Sequence, residues 1–165
     1  MFATPEALAH LAAPWGKFYS HSKVASTIIT FLHIAPIVVG GGLGIALDRT
    51  TLRLRHEEPG ARERYLVELG AAHRIVLGAL AISFLSGLAL LGADLDTFLG
   101  SWVFWAKMGL IILLLANGAW MTRIEAALRG RLSGEAPWKR LRVIAITSLT
   151  LWLTITFAGV VLTAA

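Results

Sequence analysis

Charged residues are missing from four long stretches of this chain and crowd the segments between them. Residues 24–47, 75–93 and 143–165 contain no Asp, Glu, Lys or Arg, and residues 97–122 contain only Lys107. Each run is close to or above the ~20 apolar residues an α-helix needs to cross a ~30 Å hydrocarbon layer. The pattern predicts an all-α, polytopic membrane protein: a four-transmembrane-helix bundle with spans at about 24–47, 66–92, 97–122 and 143–165. Four crossings account for most of the 165 residues. A single transmembrane domain over 1–165 follows, with no room for a soluble one.

Within the first run, Ser26, Thr30, His33, Ile37, Gly40 and Gly44 recur at helical spacing, and the opposite face is Ile, Val and Leu. A polar and small stripe of this kind belongs against other helices. Gly40 and Gly44 form a small-xxx-small pair that lets a second backbone approach closely. Pro36 removes one backbone hydrogen bond, so a kink is expected near it. A charged stretch with a break at Pro59-Gly60 leads into the second span, and a helical extension is expected from about Ala61. Gly130, Gly134 and Pro137 separate the third and fourth spans. Ahead of the first span, Pro5 and Glu6 open a short helix over 5–13 that ends at Pro14. It lies at the membrane surface, with Trp15, Phe18 and Tyr19 as interfacial anchors. These first residues lack the basic start and long apolar run of a secretory signal.

Composition agrees: 56% of residues are hydrophobic and 15% charged, where a soluble domain keeps roughly a quarter of its residues charged. A net charge of +5 raises the question of nucleic acid, but the placement of the charge excludes it. Arg49, Arg53, Arg55, Arg62, Arg64 and Arg74 flank one gap between spans; Arg123, Arg129, Arg131, Lys139, Arg140 and Arg142 flank another. The turn between the second and third spans holds only Asp94 and Asp96. Basic loops stay in the cytoplasm, which puts loops 48–65 and 123–142 there. Both termini then face the periplasm of a bacterial inner membrane. With no cysteine in the chain, disulfides, thiolate ligands and cysteine nucleophiles are excluded.

The chemistry-bearing candidates are the few ionisable groups within the spans, which normally face a bundle interior or a cavity. His33 is roughly 14 Å inside the periplasmic boundary and Lys107 roughly 9 to 15 Å, at 1.5 Å per residue. The two sit on parallel helices, so they can meet. A structural reading stands beside the functional one. His33 could be a neutral imidazole bonded within the bundle, and Lys107 could snorkel past Trp102 to the interface. His73 is near the cytoplasmic boundary, where an interfacial role competes with ligation. A bis-histidine heme would need His33 and His73 at one depth, and they are expected roughly 10 Å apart. His10 and His21 match no ligand spacing, and with three methionines a methionine-lined copper path is disfavoured.

The run TFLHIAPIVVGGG in the first span resembles the opening helix of small four-helix bacterial membrane families with an early histidine, among them the HemJ-type protoporphyrinogen oxidases and the CopD-type domains. SWVFWAKMGLIILLLANGAWMTRIEAAL is similar to their third helix. That resemblance implies a b-type heme or porphyrin near His33 and Lys107 and an oxidoreductase of the protoporphyrinogen-oxidase kind; His73 is a further cofactor-binding candidate on its imidazole alone. The alternative is a non-catalytic membrane subunit, packing through its Gly and Ser faces on a second copy or on a larger membrane complex.

Overall fold

A computed structural model of the protein describes residues 6–53, 59–130 and 135–164, with side chains described over 6–53, 64–128 and 138–162. Among the described residues six helices follow one another: α1 (Glu6–His21), α2 (Lys23–Arg53), α3 (Pro59–Ala93), α4 (Leu95–Gly100), α5 (Trp102–Gly130) and α6 (Glu135–Ala164). No strand occurs among the described residues. Helices α2, α3, α5 and α6 are long and apolar enough to cross a membrane. The protein is an all-α transmembrane four-helix bundle.

The four long helices form a ring in which α2 packs along α3, α5 along α6, and α2 also on α6. Glycines set the two contacts of α2. A Cβ on Gly40 would stand 2.8 Å from the Cβ of Ala79, and one on Gly41 3.1 Å from the Trp152 ring. Gly44 meets Trp152 again, 3.1 Å from its Nε1. The small-residue face is therefore consumed inside the chain. On α6 the threonines 147, 150 and 154 face outward, and each hydroxyl donates to the carbonyl four residues back. This leaves no free donor on a lipid-facing surface.

The membrane helices are longer at one end than the charge-free runs, and this corrects the expected loops. Asp48–Arg53 continue α2, Pro59 opens α3, Arg123–Gly130 continue α5, and α6 starts at Glu135. Pro59 suits a first helical position, where its missing N–H would have no partner. Of the two expected loops, only 54–58 and 131–134, with His56 and Gly134, lie outside the described residues. The extensions are helical because each carries an apolar stripe under its charges. Tyr65, Leu66 and Leu69 on α3 pack with Met121, Ile124 and Leu128 on α5, and with Trp138, Leu141 and Ile144 on α6. Arg64, Glu68, Arg123, Lys139 and Arg140 are exposed. We call this the charged end of the bundle.

At the opposite end α1 continues through Pro14 to His21, eight residues beyond the expected stop. Pro14 costs one backbone hydrogen bond, and a tertiary anchor immediately follows it. Trp15 Nε1 donates to the Ala89 carbonyl at 2.8 Å. Gly16 and Gly92 let the backbones approach: a Cβ on Gly16 would be 3.0 Å from the Ala93 carbonyl oxygen. Ser22 ends α1 and caps α2, its hydroxyl accepting from the Ala25 N–H at 3.3 Å. Continued straight, Trp15 would stand about 12 Å past the start of α2. It meets the last turn of α3 instead, so the chain bends at Ser22 and α1 lies across that end. The third span also begins later than expected. Asp94 caps the short α4 by accepting from the Thr97 N–H, and extended Ser101 separates α4 from α5.

Candidate functional site

Helices α3 and α5 share the apolar cluster at the charged end and touch little elsewhere. Toward the α1 end their separation leaves a cavity of about 350 Å³. Its walls are apolar side chains of α3 and α5, Phe98 of α4 lies on it, and Trp152 and Ile155 of α6 form its back. The polar groups that reach it are His33, Ser83 and Lys107. The two candidates taken from opposite halves of the sequence line one space.

His33 is held by α3. Its Nδ1 lies 2.8 Å from the Ser83 carbonyl oxygen, and a carbonyl only accepts, so Nδ1 carries the proton. The Ser83 hydroxyl returns a bond to the His33 carbonyl at 3.1 Å. The Ser86 hydroxyl donates to the Ile82 and Ser83 carbonyls at 2.8 and 3.0 Å. Gly87 makes room for the ring, since a Cβ there would stand 3.1 Å from His33 Cε1. With Nδ1 and Cε1 against α3, the remaining nitrogen, Nε2, has a lone pair and no hydrogen-bond partner among the described residues. The bonded-imidazole reading is thus met at Nδ1, and Nε2 is left over.

Lys107 does not rise past Trp102. Its Nζ reaches across to α6, 3.5 Å from where a Cβ of Gly159 would stand, and the missing side chain there creates the space. No hydrogen bond or ion pair is made by it among the described residues. His33 and Lys107 are within electrostatic reach of each other.

His73 is elsewhere. It projects from α3 ten residues before Ser83, about 15 Å along the helix, so it does not reach the cavity. Its Nδ1 lies 3.3 Å from Glu125 Oε1 of α5. Around this pair the charged end buries Asp48, Thr51, Tyr65, Glu125 and Ser148. The Tyr65 hydroxyl bonds to Thr51 and donates to the Leu47 carbonyl at 3.1 Å. Reading the sequence placed Asp48 and Glu125 in loops and missed this cluster. The polar stripe of α2 announces it, since Gly40 and Gly44 continue at the same spacing to Asp48 and Thr51.

His10 and His21 are exposed on α1, and His21 Nδ1 bonds to the Lys17 carbonyl. No group of three or more His, Asp or Glu able to hold a metal ion occurs among the described residues. No protein-family model, curated protein or solved structure matches the chain.

Proposed function

We propose that the cavity between α3 and α5 holds a b-type heme or porphyrin, with His33 as its iron ligand, in a membrane oxidoreductase. One observation carries this reading: the Ser83 carbonyl fixes His33 in the tautomer whose free nitrogen, Nε2, is the one not turned to α3. Ligating histidines are held in this way, with the second ring nitrogen donating to a carbonyl or carboxylate. Phe84, Phe98, Phe104 and Met108 line the same space, as an apolar macrocycle requires. Lys107 supplies a cation for a propionate, which relieves the cost of leaving its own charge unpaired. A bound heme would supply one-electron chemistry at a potential set by its axial ligands and surroundings. The chain's part is to bind and orient the ring and to keep water from it. Among the described residues His33 is the one histidine that lines the cavity, which favours a single protein histidine over a bis-histidine site.

The test is the absorption spectrum of full-length protein made with ample heme. A Soret band with reducible visible bands is expected, and protein without one sinks the proposal. Lys107→Met is expected to weaken heme retention by about tenfold, the ~1.5 kcal/mol of one charge-assisted contact. The helical circular dichroism should stay unchanged, because Lys107 has no partner in the fold to lose. An unaltered off-rate in that variant would remove Lys107 from the site. The rival reading as a packing subunit drew on the Gly and Ser faces, and of these Gly40, Gly41 and Gly44 already pack on Ala79 and Trp152 within the chain.

The same reading places the charged end in the cytoplasm of a bacterial inner membrane and α1 and α4 on the periplasmic side. Twelve basic residues flank the charged end and none lies in the turn at Asp94 to Asp96. A cysteine at Asp96 in this cysteine-free chain should react with an impermeant reagent added outside, and one at Gly60 should not. The opposite labelling would reverse the orientation.

A further inference from the structure

The cluster at the charged end has no part in the cavity, from which it is separated by the apolar layer of Leu114, Trp152, Ile37, Ile45, Val76 and Leu80. Its members come from all four long helices. Asp48 of α2 is 2% exposed and Glu125 of α5 is 4% exposed. His73 of α3 stands 3.3 Å from Glu125. Ser148 of α6 is the hydroxyl facing Asp48, and His73 is the charged group within its electrostatic reach. Tyr65 of α3 faces both carboxylates from its bond with Thr51. Glu68 acts on Tyr65 from the exposed side of α3. Arg142 of α6 is half-buried, and its Nε is buried without a partner. No ion pair between an arginine and Asp48 occurs among the described residues, and Asp48 Oδ2 is buried with no hydrogen-bond partner.

The charge count decides what this cluster takes. An imidazolium at His73 and a carboxylate at Glu125 cancel. Arg142 is not among the charges that act on Asp48, so an ionised Asp48 leaves one net negative charge in this set, and an isolated buried carboxylate costs far more than a neutral acid. One cation restores balance. Among the described residues, no group of three or more His, Asp or Glu is placed to hold a metal ion. The ligand that fits is the smallest.

We infer that Asp48, His73 and Glu125 form a proton-binding site in which Asp48, with Oδ2 enclosed and no cationic side chain bonded to it, carries the proton as a neutral acid in the folded protein. The proton exchanges with the water at the charged end, and its binding joins α2 to the His73–Glu125 bridge between α3 and α5.

Infrared spectroscopy of the full chain in lipid vesicles tests this directly. At neutral pH a carbonyl stretch of a protonated carboxyl is expected, downshifted in deuterium oxide. It should move when aspartate is isotope-labelled at its carboxyl and stay put when glutamate is labelled. The other aspartates, Asp94 and Asp96, are exposed, so Asp48 is the buried aspartate that the band reports. Asp48→Asn should remove it. The labelling result needs no variant to fold. Absence of the band, a response to the glutamate label alone, or persistence in Asp48→Asn overturns the inference.

Discussion

Replacing His33 with Ala is expected to abolish the heme spectrum proposed for this protein, with heme affinity falling by more than about 100-fold. The estimate is a lower bound, since removal of a group that merely orients a metal ligand already costs 10- to 100-fold. The fold should survive. His33 is half-buried, and its loss removes one bond to a Ser83 carbonyl and opens space beside an existing cavity, together about 1 kcal/mol. Helical content and melting, followed alongside the Soret band, separate loss of a ligand from loss of structure. Retention of an unchanged spectrum in His33→Ala would transfer ligation to another residue and end the present assignment.

The second large effect is on stability. Gly40→Leu is expected to destabilise the bundle by about 3 kcal/mol or to prevent its assembly, at the upper end of overpacking costs. The added Cβ alone would stand 2.8 Å from the Cβ of Ala79, with backbone of Val76 behind it at 3.7 Å. Neither neighbour is a flexible side chain that can swing away. The control lies two residues on. Gly42 is exposed with nothing within 4 Å of its would-be Cβ, so Gly42→Leu should leave melting within about 0.5 kcal/mol of wild type, as surface changes do. Equal melting of the two variants would show that α2 does not pack on α3 through Gly40.

Much of this architecture was legible from charge alone. Four runs depleted in charge marked the helices, because lipid tolerates few ionised groups. Equal depth on parallel helices brought His33 and Lys107 together. The same rule hid the rest. Asp48 and Glu125 count as loop charges when spans are ended at the first ionisable residue, although both continue apolar helices. The signal was periodicity: Leu66, Leu69 and Ala72 on α3, and Ile124 with Leu128 on α5, recur at helical spacing beneath charged neighbours. For α1 the misleading rule was local. Pro14 ends a helix by propensity, but the Trp15 indole bond to Ala89 is a contact across 74 positions that no local pattern encodes. His73 was set apart from His33 by its place near the cytoplasmic boundary, but its bridge to Glu125 was not legible.

The divergence of α3 from α5 also determines how a ligand arrives. On the α3 and α5 sides of the cavity, Phe84, Leu88, Ile112 and Leu115 both line it and are 46% or more exposed, so the mouth opens sideways into hydrocarbon. Water-borne molecules would first have to dissolve in the bilayer. A lipophilic guest is already concentrated there and searches in two dimensions, so occupancy follows its partitioning into the membrane rather than its concentration in either compartment.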